Sequence, residues 1–208
     1  MKMKIFATIV SGMFHPLMMV TYGLILALTF TYLSLFPMEL KLWLVSGTFL
    51  MTAGIPALFI YLMVKSGGAS DSELTKRRER ILPYLVFICA LLSTAFFLNK
   101  MLMPGWLVAQ ILGACSALFI ALLINFAWKI SAHAIGIGGL IGGIMGMAQI
   151  QMTNPYVGLM IAFCIAGCVG TSRLILKRHT PMQVYAGFCL GFICIFVSSL
   201  LSYIYLFI

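Results

Sequence analysis

Two short polar islands interrupt the apolar runs of this chain of 208 residues: Lys129 to His133, and Ser172 to His179. Each brings a histidine, a hydroxyl and a cation together where the chain leaves a hydrophobic stretch. An imidazole is partly unprotonated near neutral pH and can attack an electrophile. If that electrophile is phosphorus, cations must also hold the phosphoryl oxygens and a second group must protonate the leaving oxygen. With His133, His179, Arg173 and the neighbouring basic residues, the two islands contain every group type that such a transfer requires. The third histidine, His15, stands before Pro16 and reads as an interfacial turn residue, the alternative being a contribution to the same polar face.

The elements that position these groups are set by composition. At 63% hydrophobic and 8% charged residues, the chain lies far from a soluble domain, in which about a quarter of residues carry charge. The apolar runs are about 17 to 25 residues long, enough to cross a hydrocarbon core as helices, and lack the alternation of a membrane barrel. Lys2 and Lys4 suit the start of a signal peptide, but the apolar stretch that follows has no small-residue cleavage site. The six cysteines lie within apolar runs and read as small packing residues. Acids are scarce: Glu39, Asp71, Glu73 and Glu79 are the four. A hard-cation site needs several oxygen ligands, and a proton-coupled transporter usually carries an acid within its spans. Both readings lose ground, and neither a metal nor another cofactor is expected. The formal charge of +9 suggests an anionic membrane partner rather than nucleic acid.

The expected architecture is all-α: one integral-membrane domain over residues 1–208, a polytopic bundle of six to seven spans. The spans read as 17–36, 42–64, 82–98, 105–127, 133–150, 156–172 and 182–206. Residues 1–16 read as an interfacial segment, with Pro16 opening the first span, and 66–81 as a polar loop. Ser70 and Glu73 stand at capping-box spacing, which predicts a short helix start there. In the fifth span Gly138, Gly142 and Gly146 recur every four residues, a flat stripe against which another helix can pack closely. Segments that follow even-numbered spans share one face with the N-terminal segment. That face receives eleven of the thirteen cations, leaving Lys41 and Lys100 opposite. The positive-inside rule then places the rich face in the cytoplasm, although cations recruited for an anion site need not report topology. The location expected is a bacterial inner membrane.

Ser172-Arg173, five further residues and His179 have the spacing of the third signature of the type-2 phosphatidic acid phosphatase superfamily. Ser131-Ala132-His133 resembles the Ser-Gly-His of its second, and Lys76 to Pro83 resembles a degenerate form of its first. The resemblance covers about residues 70–190. It implies that His179 is a nucleophile forming a phosphohistidine and His133 the general acid. It further implies that Lys76, Arg80, Ser131, Ala132 and Arg173 bind the phosphoryl oxygens, with no metal. The chain departs from the family pattern at Ile130 and Ala132, where proline and glycine are usual. Arg80 and Pro83 are separated rather than adjacent, and Gln183 replaces an aspartate that orients the nucleophile. Replacing an orienting aspartate with a neutral amide costs about ten-thousand-fold in a serine-protease triad.

The function implied is removal of phosphate from a membrane lipid phosphate or polyprenyl diphosphate. The alternative is an impaired relative that binds or moves phospholipids without cleaving them. A small-anion transporter fits less well, because no span carries a charge near its centre. Sequence leaves open whether the chain forms a homodimer.

Overall fold

In a computed structural model, which describes residues 2–71, 74 and 76–206, the chain is an all-α polytopic bundle. It is 84% helical, and seven of its helical segments are long and apolar enough to cross a membrane, which makes it an integral membrane protein. Nine α-helices occur in the described residues: α1 (Lys2–Met13), α2 (Met19–Phe30), α3 (Met38–Phe49), α4 (Ile55–Lys65), α5 (Ile81–Lys100), α6 (Gly105–Ala127), α7 (Ala132–Gln151), α8 (Tyr156–Ile175) and α9 (Pro181–Leu206). Large apolar side chains such as Trp43, Phe96, Val157 and Met160 face outward, as expected of a surface solvated by lipid tails.

Two prolines shape the first half. His15 is extended (φ −66°, ψ 140°) because the ring of Pro16 disfavours helix at the residue before it. The chain therefore breaks between α1 and α2, with a 3₁₀ turn over Pro16–Met18. The N-terminal segment is a 12-residue helix packed on α8. In the second span, a π-turn at Leu50–Gly54 joins α3 to α4 just ahead of Pro56, where a missing backbone N–H makes such a bulge cheap. The helix expected to begin at the Ser70–Glu73 capping box cannot be followed, since Glu73 lies outside the described residues. Ser70 instead donates its backbone N–H and its hydroxyl to Glu79 (3.1 and 2.9 Å).

The centre of the bundle is α7, whose span is 72% buried against 17–44% for the other six. Its glycine stripe meets α9. A Cβ at Gly138 would collide with the Phe188 carbonyl, and one at Gly191 of α9 would collide with the Ile135 carbonyl. The two backbones thus touch directly, as small-residue seams allow in membranes. Across the bundle Gln110 of α6 donates its amide to the Gly143 carbonyl (3.2 Å). The largest apolar cluster joins α2, α3, α5, α6 and α7 through Leu24, Leu44, Leu91, Leu107 and Ile135.

Candidate active site

The three loops expected on one face do lie at one end of the bundle, and four charged or titratable side chains turn inward from them. Arg80 ends the 3₁₀ turn Arg78–Arg80 that leads into α5. His133 sits in the first turn of α7, Arg173 in the last turn of α8, and His179 in the connection to α9. All four are buried, Arg173 to 1% exposure, and all line one cavity. His15, at the break between α1 and α2, lines it too, so every histidine of the chain reaches the same space.

Local structure explains how His179 is delivered. Helix α8 closes with paired bonds from Lys177 N–H to the Leu174 carbonyl and Arg178 N–H to the Arg173 carbonyl (2.9 and 3.1 Å). This is a Schellman turn, with Lys177 in the left-handed region (φ 53°). Helix α9 then opens on Thr180-Pro181-Met182-Gln183, a capping box with proline at the first helical position. The Thr180 N–H donates to Gln183 Oε1 (3.2 Å). Because a backbone N–H can only donate, the amide atom there is the oxygen. His179 Nδ1, 3.0 Å from the same oxygen, must then be the donor. Its other nitrogen, Nε2, carries the lone pair. One glutamine thus caps a helix and fixes a tautomer.

The surroundings keep that lone pair unprotonated. Burial, then the nearby Arg80 guanidinium, lower the His179 pKa to about 3; Lys129 and Arg173 add to this, and the Gln183 bond opposes it. Lys129 is lowered to about 8, mainly by burial and then by repulsion from Arg80, Arg173 and Arg178. Excess positive charge therefore surrounds His179, and an incoming anion would relieve it.

Arg80 is held rigidly: Nε donates to the Leu74 carbonyl (2.8 Å) and Nη1 to the Ile130 carbonyl (3.0 Å). His133 Nε2 lies 3.2 Å from the Ser11 carbonyl of α1, so that nitrogen bears a proton and donates it. His15 accepts the Leu17 N–H at Nδ1 (3.4 Å), which leaves its proton on Nε2. The two rings stand nearly perpendicular, 5.3 Å between centroids.

Three of the expected residues stand as follows. Lys76 is 71% exposed, pairs with Glu79 at 3.4 Å and does not line the cavity. Ser131 is fully buried, but its hydroxyl caps α7 by accepting the Ala134 N–H (3.4 Å) and its N–H donates to the Gln183 carbonyl (3.3 Å). These bonds brace α7 against α9. His133, expected as general acid, commits its Nε2 proton to Ser11. Ala132 does line the cavity, and as the first residue of α7 its N–H has no acceptor within the helix. Beyond His179 an open depression is lined by Lys129, Lys177 and Arg178, so His179 stands between a basic mouth and the interior cavity. Asp71 pairs with Arg178 at 3.6 Å. Among the described residues, no three His, Cys, Asp or Glu side chains gather as a metal site.

Sequence reasoning preferred an interfacial turn role for His15 and passed over the capping role of Gln183. The second was readable, since Thr180 and Gln183 stand at capping-box spacing with Pro181 between them. No family model, curated protein or solved structure matches this chain.

Proposed function

We propose that the chain is an integral-membrane, metal-independent phosphohydrolase acting on lipid phosphates or diphosphates, a divergent relative of the type-2 phosphatidic acid phosphatases. The observation that carries this reading is a buried imidazole with a fixed bare nitrogen, His179 Nε2, sharing one cavity with two buried guanidinium groups. In the reaction, Nε2 attacks phosphorus and forms a P–N bond while the P–O bond to the lipid breaks. Arg80 and Arg173 hold the phosphoryl oxygens, which is most of what phosphoryl transfer asks of a protein. The leaving oxygen takes its proton from the His15–His133 pair, in which His15 carries its proton on Nε2 because Nδ1 accepts the Leu17 N–H. Water then cleaves the P–N bond and releases inorganic phosphate toward the basic mouth.

The neutral side chain of Gln183 favours a second reading, a protein that binds lipid phosphate without turning it over. Phosphate release by purified protein from lipid phosphates, with EDTA or vanadate, separates the two. The hydrolase reading expects release that survives EDTA and is inhibited by vanadate, a mimic of pentacoordinate phosphorus. Release that vanishes with EDTA and returns with Mg²⁺ sinks the mechanism. Tight vanadate binding with no release supports the second reading.

A further inference from the structure

Behind the cationic head the same cavity continues into the bundle between α2, α5, α6 and α7, and there it is apolar. Phe87, Leu91, Ala114, Leu118, Leu140 and Gly143 are among its lining residues. Towards its far end the wall holds Met147 and Leu107, with the Gln110 amide, tied to the Gly143 carbonyl, about one turn nearer the head. From His133 to Met147 a helix rises about 21 Å. The cavity volume is about 160 Å³. Averaged over that length, with the radius of a water molecule added, this is a bore of about 3 Å radius. Such a bore is one hydrocarbon chain wide. At about 1.2 Å per bond of extended chain, that length has room for about 17 carbons.

We propose that this shaft receives the tail of a lipid phosphate, and that it admits a single chain of limited length. The occupant is chosen by charge and shape together: an anionic head among Arg80, Arg173 and the histidines, an apolar tail below, and an average width that suits one chain. Little is gained when a tail leaves bilayer for an equally apolar protein interior. Selection is therefore steric: chains that fit are accepted, and long or paired chains are excluded. The inference rests on the lipid-phosphate reading of the head but not on turnover there.

Calorimetric titration with uncleavable phosphonates in detergent tests it. Octyl, dodecyl and hexadecyl phosphonate should bind, while docosyl phosphonate and a two-chain phosphatidic acid analogue bind at least about ten-fold more weakly. Ala114→Phe, and to a smaller degree Ala114→Leu, should cut hexadecyl affinity about ten-fold and leave octyl affinity intact, which also reports an intact fold. Equal affinity for one-chain and two-chain ligands, or no effect of either substitution on hexadecyl binding, overturns the proposal. Length-dependent phosphonate binding without hydrolysis of the matching phosphates would defeat the hydrolase reading and leave the shaft standing. Hydrolysis indifferent to chain length would do the reverse.

Discussion

Arg80 and Lys76 are four positions apart in one basic run, and they end in opposite worlds. Arg80 is buried, bonded to two backbone carbonyls and turned into the cavity. Lys76 is exposed and paired with Glu79. The same contrast separates Arg173 from Arg178: the first is fully buried in the last turn of α8, the second faces Asp71 at the rim. An exposed ion pair is worth at most about 1 kcal/mol, whereas a buried guanidinium acts at low dielectric on whatever shares its space. Burial first, then Arg80 with Lys129 and Arg173, holds His179 deprotonated. Charge count is thus a poor guide to where anion chemistry can occur; burial with backbone fixation is the better one.

The sharpest way to break this distinction between inner and outer groups is His179→Ala, which should abolish phosphate release and leave the detergent-solubilised fold and its thermal midpoint nearly unchanged. Next in size is Arg173→Ala. Losing one charge-assisted donor from the inner ring should cost about 3 kcal/mol of transition-state stabilisation, roughly a hundred-fold in kcat/KM. A smaller effect sharpens the role of the orienter. Gln183→Glu keeps the capping reach and adds a charge beside His179 Nδ1, so turnover above pH 7 should rise several-fold. His179 is a base titrating at about 3, hence neutral and competent across pH 5 to 8. A carboxylate favours the imidazolium, raises that pKa and should move the acid limb of the pH–rate profile upward. A limb that stays in place would show that Gln183 does not govern the nucleophile. The smallest effect is expected from Lys76→Ala, within about two-fold in kcat/KM. If it costs as much as Arg173→Ala, the separation of inner from outer cations fails.

Much of the fold was legible because hydrocarbon thickness dictates the length of each run, and six of the seven spans were placed within a few residues of the observed helices. The π-turn at Leu50–Gly54 was not, although Pro56 stands beside it, since the widened register is settled by packing from neighbouring helices. Nor did local sequence show that 2–13 would dock on α8. Arg173 and His179, singled out by their spacing, and His133, by the serine two residues before it, all line one cavity. Choosing between Lys76 and Arg80 depended on the phase of the 3₁₀ turn at Arg78–Arg80, which tertiary contacts to Leu74 and Ile130 set. For Ser131 the local sequence is ambiguous, since a serine before a helix is both a plausible anion ligand and a good cap; the structure shows the capping bond.

The bond between His133 and the Ser11 carbonyl joins positions 122 residues apart, and Gln183 lies further along still. Translation at about 5 to 20 residues per second means that Ser11 leaves the ribosome many seconds before its partners exist. Contacts this remote in sequence close late, after much loop entropy has been surmounted. The head of the cavity therefore comes into being only once α9 has seated its glycines on α7. Until then His179 has no Gln183 oxygen to fix its tautomer, and the inserted helices enclose only an incomplete cavity head.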